Sequence, residues 1–435
     1  MSNPKYKMLI MFDTKANSNK FYEMKLDDND VTHVRFGRVG AGAQTTQYGG
    51  GMRKFNSLLA SKLKKGYKEA MLEETTSEGG SVKVHSNVID LALKQIQYND
   101  DFSRKLIEEI ARENIHSITS TTNIKFDTKD GLFKTPLGVV SKAGVVRAEE
   151  ILREIEKYLP DQDKEWAETR LFDLNEKYFV IIPNRVANAR DKHYLIFNEK
   201  NLQAQRDICN ALFDTLELIE DLKARKAAED KPEDVAPEEK VFDVEIGLLE
   251  DEKIFDEISK YYHGSKNSMH GHQIMNSKVS RVYKVALGSQ QKPFADMAES
   301  IGNVHLLWHG TRIANLLSIM GKGLLMPSQS PGQKAGAMFG NGLYFANQSS
   351  KSLQYSDGMF FASGSGRRQK IYMFLASVAV GKDYCPPTST GPSGRPPAGY
   401  DSFWAKAGKS GVRNDEIIVF RGGQVRLDYL VEIEL

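Results

Sequence analysis

A histidine, a tyrosine and a glutamate, each beside a short strand-like run, are the residues of this chain best suited to chemistry. His309 lies in Leu307-Trp308-His309-Gly310-Thr311-Arg312. Tyr344 follows 35 residues later in Gly342-Leu343-Tyr344-Phe345-Ala346, and Glu416 sits in Asn414-Asp415-Glu416-Ile417-Ile418-Val419-Phe420. A hydrogen-bonding imidazole, an aromatic face and a carboxylate together suit a substrate with ribose hydroxyls, an aromatic ring and a bond ready to break. Taken singly, each has a commoner role: a satisfied structural histidine, a core aromatic, a surface carboxylate. A polar residue beside a strand, three times over, argues for one assembled site.

Positions this far apart in sequence meet only in a folded domain, and 435 residues are enough for two to four domains. The composition, 40% apolar and 27% charged, is that of an ordinary soluble globular protein. No run of about 18 apolar residues predicts a membrane span, and Met1-Ser2-Asn3-Pro4-Lys5 lacks the apolar core of a secretory signal. Two cysteines, Cys209 and Cys385, point to a reducing compartment and leave no disulfide framework or Cys-rich zinc site. His263, His270 and His272 fall in a polar stretch rich in Gly and Ser and are expected to be loop residues rather than metal ligands.

Residues 1–80 form the first expected unit. Tyr6 to Phe12 and Lys20 to Leu26 predict two strands, and Val31 to Gly40 a third that ends in glycine-rich turn chemistry. Phe55, Leu58, Leu59 and Leu63 recur at helical spacing and predict a helix from Phe55 to Tyr67 packed on that sheet. From Val31 to Lys68 there is no Asp or Glu, against Arg35, Arg38, Arg53, Lys54, Lys62, Lys64, Lys65 and Lys68. Such a run attracts phosphate backbones, although a solvated basic face without a partner has the same composition.

Thr75 to Lys83 is polar, holds Gly79-Gly80 and is expected to be a linker. Residues 84–230 are mostly helical in pattern. Apolar stripes run through Val88, Leu91, Leu93 and Ile96, then through Phe102, Leu106, Ile107 and Ile110. After the break Thr135-Pro136-Leu137-Gly138 come Val145, Ile151, Leu152, Ile155 and Leu159, and a long last helix carries Cys209, Leu212, Phe213, Leu216, Ile219 and Leu222. These stripes are core-forming. Ala224 to Lys240, with Pro232, Pro237 and six acidic residues, reads as a second linker. Over 241–435 β-rich runs return at Ser280–Leu287, Lys370–Gly381 and the alternating Val425, Leu427, Tyr429 and Val431, which predicts an α+β domain with an antiparallel sheet. That domain has no glycine-rich phosphate loop before a helix; Gly340-Asn341-Gly342 is too short and predicts a tight turn.

Four ordered segments, Leu306–Arg312, Met338–Ala346, Ser350–Tyr355 and Asn414–Phe420, resemble the catalytic domain of the poly(ADP-ribose) polymerases, the diphtheria-toxin-like ADP-ribosyltransferases. The resemblance implies that His309, Tyr344 and Glu416 form that family's triad. It implies that His309 binds the adenosine ribose and that the Gly310 backbone and the Ser352 hydroxyl hold the nicotinamide carboxamide, with Thr311 beside them. Tyr344 and Tyr355 would stack on the nicotinamide ring. Glu416 would accept from the nicotinamide-ribose 2′-hydroxyl and stabilise the oxocarbenium-like transition state. NAD+ is then a consumed substrate, and no metal is required because cationic nicotinamide already leaves well. Asp415 is taken as a turn residue, not the catalytic acid.

Lys134 to Lys142 and Leu174 to Pro183 resemble the family's helical regulatory domain, which in relatives impedes donor access until DNA binding loosens it. The first 80 residues resemble the WGR domain, with Phe36-Gly37-Arg38 in place of Trp-Gly-Arg, so that the indole N–H donor is lost. Leu325 stands where some relatives carry an Arg near the donor phosphates. The zinc fingers, BRCT module and long basic tail of some relatives have no counterpart. The implied fold is multidomain α+β: a small β-sheet-plus-helix WGR domain over 1–80, an all-α bundle over 84–230 and an antiparallel α+β transferase domain over 241–435.

The implied function is a DNA-break-activated NAD+ ADP-ribosyltransferase that modifies proteins, including itself, and elongates the product. The expected DNA contacts are Arg35, Phe36, Gly37, Arg38, Arg53, Lys54, Lys62 and Lys65. A monomer with no membrane partner is expected, nuclear in a eukaryote and otherwise cytoplasmic or nucleoid-associated. Two other readings remain open: a DNA-end-binding scaffold with weak or single-unit transfer, and an enzyme triggered by RNA or a protein instead of DNA.

Overall fold

The computed structural model describes residues 6–13, 18–38, 43–69, 88–122, 124–127, 132–135, 138–183, 195–229, 242–326, 338–356 and 370–435, and every structural statement below concerns these. The linker expected over Thr75–Lys83 lies outside them, as does most of the one expected over Ala224–Lys240.

Five strands build the first sheet, in the order β4-β3-β2-β1-β5: β1 (Tyr6–Asp13), β2 (Ser18–Leu26), β3 (Thr32–Arg38), β4 (Gln44–Tyr48) and β5 (Lys68–Glu69). Helix α1 (Gly51–Lys64) covers one face. Alternation in β1 to β3 turns Leu9, Tyr22, Met24 and Val34 toward Phe55, Leu58 and Leu59 of the helix. Leu63 departs from expectation: it is 43% exposed, one turn beyond the packed stripe. The opposite face of the sheet places Met8, Ile10 and Phe21 against Val180.

Next come α2 (Val88–Gln95), β6 (Gln97–Tyr98) and α3 (Asp101–Thr121). The strands β7 (Lys125–Asp127), β8 (Leu132–Thr135) and β9 (Gly138–Val139) form a small antiparallel sheet, so the middle region is not made of helices alone. Helices α4 (Lys142–Tyr158), α5 (Glu165–Ile181) and α6 (Glu199–Glu229) follow. Ser141 caps α4 by accepting from the Gly144 N–H. Val145, Leu152 and Ile155 of α4 pack with Leu171, Tyr178 and Phe179 of α5 and with Cys209, Leu212 and Leu216 of α6. Helix α6 continues to Glu229, so its regular structure runs through the first residues of the expected second linker.

The rest of the chain holds β10 (Val244–Leu248), α7 (Glu252–Gly264), α8 (His272–Asn276), β11 (Lys278–Leu287), α9 (Gly288–Ile301), β12 (Val304–Gly310) and α10 (Ile313–Lys322). Then follow β13 (Leu343–Phe345), α11 (Ser349–Leu353), β14 (Lys370–Ala379), β15 (Asp383–Tyr384), β16 (Ser402–Ala405), β17 (Glu416–Val419) and β18 (Val425–Glu434). A six-stranded sheet has the order β12-β14-β18-β11-β10-β6, antiparallel except that β6 runs parallel to β10. A four-stranded sheet has the order β13-β17-β16-β15. β14 is apolar almost throughout and is covered on both faces, as a central strand must be.

By contact density the chain divides into two compact units, residues 1–87 with 116–220 and residues 88–115 with 221–435. This division differs from the three sequence segments: α2 and most of α3 group with the C-terminal residues. Within that second unit, Asp100 accepts from the Leu248 N–H at 2.9 Å, and Arg281 lies 4.8 Å from the Phe102 ring centre.

Candidate active site

The site forms where the two sheets of the second unit meet. Trp308 and Ala346 exchange backbone hydrogen bonds of 2.9 and 3.0 Å, which ties the edge strand β12 to the end of β13. β17 pairs with β13, placing Tyr344 opposite Ile418 and Glu416 at the mouth of the second sheet. Strand pairing thus brings three separate sequence segments side by side.

His309 directs Nδ1 at the Tyr344 carbonyl at 3.0 Å. A carbonyl only accepts, so Nδ1 carries the hydrogen and Nε2 presents a lone pair. Burial holds the imidazole below its ordinary pKa despite that bond, which keeps it neutral at pH 7. The Tyr344 hydroxyl accepts from the Phe339 N–H and donates to the Gly340 carbonyl, both at 2.9 Å, pinning its ring across a loop. Burial, with Glu416 and Tyr355 close by, pushes Tyr344 up to about 12, so it stays a phenol.

Gly310 is required by shape. A Cβ there would sit 1.8 Å from the Ser352 carbonyl oxygen. The same packing buries Ser352, whose hydroxyl donates to the Trp308 carbonyl at 2.9 Å. With its hydrogen committed, that oxygen meets a ligand as an acceptor. Thr311 is 8% exposed, and its Oγ1 accepts from the Asn315 side chain at 3.4 Å. Tyr355 is 48% exposed on the rim.

Glu416 is joined by a residue that sequence reasoning did not single out. Lys351 donates to Glu416 Oε1 at 2.8 Å and to the Tyr355 hydroxyl at 3.3 Å. Both members of the ion pair are only 15% exposed. Burial would drive a proton off Lys351, but Tyr355 and Glu416 outweigh it and raise its pKa above the ordinary lysine value. The sole sequence cue was its place in Ser350-Lys351-Ser352; nothing there announced a partner 65 residues onward. Asp415, expected to be a turn residue, gathers the Trp404 indole N–H at 2.9 Å, the Ala407 N–H at 2.9 Å and the Asn347 amide at 3.2 Å. It braces the strand start that carries Glu416.

The expected nucleic-acid contacts scatter more widely over the first sheet and α1. Arg53 and Lys65 are exposed, and Lys54 lies 5.1 Å from the Tyr48 ring centre. Lys62 stacks 3.9 Å from the Tyr22 ring centre, and burial, then Lys65, lowers its pKa. Arg35 is ion-paired to Glu23 from β2, and Lys68 faces Asp173 and Glu176 at 3.7 and 3.9 Å. The stretch free of acids in sequence is therefore partly neutralised in space. Phe36 packs on Tyr22 at 5.8 Å and belongs to the core beneath the sheet, with Gly37 beside it opposite Phe21. The Arg38 side chain lies outside the described residues.

Three family models match successive parts of the chain: the WGR domain over residues 6–74, the poly(ADP-ribose) polymerase regulatory domain over 103–237 and the poly(ADP-ribose) polymerase catalytic domain over 252–435. Among similar proteins, the protein mono-ADP-ribosyltransferase PARP3 of Gallus gallus is 30% identical over 62% of this chain and 47% of its own length. Its namesake from Homo sapiens is 25% identical over 96% of this chain and 86% of its own. Poly [ADP-ribose] polymerase 2-B of Oryza sativa subsp. japonica is 25% identical over 84% and 57%. The chain thus spans about half of the first of these relatives and most of the second.

Proposed function

The chain belongs to the poly(ADP-ribose) polymerase family, with an NAD+ ADP-ribosyltransferase catalytic domain, and on that premise we propose that it transfers and elongates ADP-ribose on proteins, itself included, in response to DNA strand breaks. The observation that carries the reading is the Glu416–Lys351 pair close to Tyr344 and Tyr355, with His309 bonded to the Tyr344 carbonyl.

His309 Nε2 accepts from an adenosine-ribose hydroxyl, which orients the donor. Tyr344 and Tyr355 flank the nicotinamide ring, and the Gly310 backbone with the Ser352 oxygen holds its carboxamide. Glu416 has two oxygens: Lys351 holds Oε1, and Oε2 takes the 2′-hydroxyl of the nicotinamide ribose. As the C1′–N bond breaks, its electron pair returns to the pyridinium nitrogen and neutralises it. The growing positive charge at C1′ is stabilised by the carboxylate. An acceptor oxygen then bonds to C1′ and releases its proton, with Glu416 orienting a ribose hydroxyl during elongation. In this reading the basic surface around Arg53, Lys54 and Lys65 meets the phosphate backbone.

A second reading, single-unit transfer, is favoured by the names of two similar proteins, both mono-ADP-ribosyltransferases. A denaturing gel with labelled NAD+, run with and without a nicked, 5′-phosphorylated duplex, separates the possibilities. A smear with the duplex supports elongation, a sharp band supports single-unit transfer, and no label in either lane would reduce the protein to a DNA-end scaffold. A smear with RNA alone would replace the trigger. Glu416→Gln should abolish the smear while leaving NAD+ binding intact.

A further inference from the structure

Next to the Lys351–Glu416 pair, outside every residue assigned to the donor, four side chains form a closed hydrogen-bonded chain. It starts at a short turn, Ser268–His270, whose first donor sets the orientation of all that follows. The Met269 N–H donates to Asn267 Oδ1 at 3.0 Å. The other end of that amide, Nδ2, therefore donates to Asn414 Oδ1 at 3.1 Å. This in turn aims Asn414 Nδ2 at His270 Nε2, at 3.1 Å. A ring nitrogen that receives an N–H cannot carry a hydrogen of its own. Neutral His270 must then be protonated at Nδ1, which lies 2.8 Å from Ser350 Oγ. Ser350 Oγ also accepts from the Asn267 N–H at 2.7 Å. One backbone amide thus sets the tautomer of the histidine.

The two residues that His270 joins are built in. Ser350 is 0% and Asn414 8% exposed. Ser350 is the immediate neighbour of Lys351, and Asn414 precedes Glu416 by two residues. His270 is therefore the tie between the segment that delivers the ammonium and the segment that delivers the carboxylate. A proton on Nε2 would set N–H against N–H at Asn414 and bring a second positive charge beside Lys351. The groups facing the ring are Lys351 and Ser350 from α11, Asn414 from the loop before β17 and, beyond Lys351, Glu416. His272, two residues along, is hydrogen-bonded to Asn276 and takes no part. Burial, then Lys351, lowers the His270 pKa, so the neutral form persists below the ordinary histidine range.

We propose that neutral His270 is a positioning residue for the Lys351–Glu416 pair, and that its protonation unties Asn414 and lets Glu416 leave its working position. The proposal rests on the reading that this pair acts in ADP-ribosyl transfer.

The test uses the full chain with nicked duplex and measures nicotinamide release from NAD+ between pH 5 and 8.5, for wild type, His270→Ala, His270→Gln and Glu416→Gln. His270→Ala should lower kcat by about tenfold to a hundredfold at pH 7.5 while KM for NAD+ moves by less than about twofold. His270→Gln, which keeps an acceptor and a donor but cannot titrate in this range, should recover most of kcat. It should also lose the acid limb expected in the wild-type kcat below the ordinary histidine range. Wild-type kcat in His270→Ala, or an unchanged acid limb in His270→Gln, overturns the proposal. Should the alanine variant not fold, as judged by its thermal transition, the pH profile of the glutamine variant decides alone. Full kcat in Glu416→Gln would bring down the site reading itself. Loss of activity there beside wild-type behaviour of both His270 variants would refute only the role given to His270.

Discussion

A carboxylate meant to face a developing cation must be charged yet not bound so tightly that it cannot turn to its substrate. Glu416 meets both conditions by sharing one oxygen with Lys351 at 2.8 Å. The lysine also holds the Tyr355 hydroxyl, so one ammonium orients the carboxylate and a ring proposed to stack on nicotinamide. Lys351→Met should therefore lower kcat by about a hundredfold and leave KM for NAD+ within about twofold, as steady-state kinetics will show. A rise in KM with kcat preserved would mean that Lys351 binds the donor instead. At this scale the sequence was legible where a residue sits in its own motif: His309, Gly310, Tyr344, Ser352, Tyr355 and Glu416 were all named before any geometry. It was opaque where function depends on a partner. His270, read as a loop histidine, meets Asn414 across 144 positions, and no local pattern encodes that distance.

Helices and strands show the same division. Apolar patterning marks β1 to β3, α2 and α4 nearly to their ends, whereas the stripes from Phe102 to Ile110 and from Cys209 to Leu222 cover only part of α3 and α6. The pieces of two to five residues, such as β5, β7 and β9, were not, because so short a strand has no alternation to display. Helix α3 does more than pack. Its Glu109 accepts from Lys370 at 2.6 Å and from the Tyr372 hydroxyl at 3.2 Å, and its Asn114 donates to the Ala314 carbonyl at 2.9 Å, in the first turn after the His309 loop. If this helix restrains the donor site, Glu109→Gln with Asn114→Ala should raise NAD+ consumption without DNA roughly fivefold to tenfold. Unchanged basal turnover would show that these bonds only support the fold. In the bundle of the first unit, Glu149 on α4 is 1% exposed, its carboxylate buried beside the Cys209 thiol. Burial, against the pull of Arg206 and Arg153, raises its pKa from 4.5 to about 8. The folded bundle keeps the proton where an unfolded chain has released it. Its stability is therefore undiminished below pH 4.5 and falls as pH climbs toward 8. Glu149→Gln should remove that fall, its advantage in Tm widening by about 5 °C or more between pH 6 and 9 in scanning calorimetry. An offset that does not vary with pH would contradict the assignment.

Over the whole molecule, formal charge proves a poor guide to field. The chain carries a net +2, and its acid-free stretch promised eight open cations. Folding brings Glu23 to Arg35 and the α5 carboxylates Asp173 and Glu176 to Lys68, while Lys62 stacks over Tyr22. Among the described residues Arg53, Lys64 and Lys65 are left exposed, and of these the two expected contacts, Arg53 and Lys65, should dominate phosphate binding. Replacing both by Gln should flatten the slope of log K against log salt for a nicked duplex by about 2, whereas Arg35→Gln should hardly alter it. Equal losses from all three would return the weight to the simple sequence count. β18 lies between β14 and β11, near the middle of the six-stranded sheet, yet it follows every other strand of that sheet in the chain. During synthesis the first sheet and its basic helix emerge and fold early, while the wall behind His309 still lacks its central strand. On the proposed reading, a growing chain completes its basic surface before the sheet that backs its donor site.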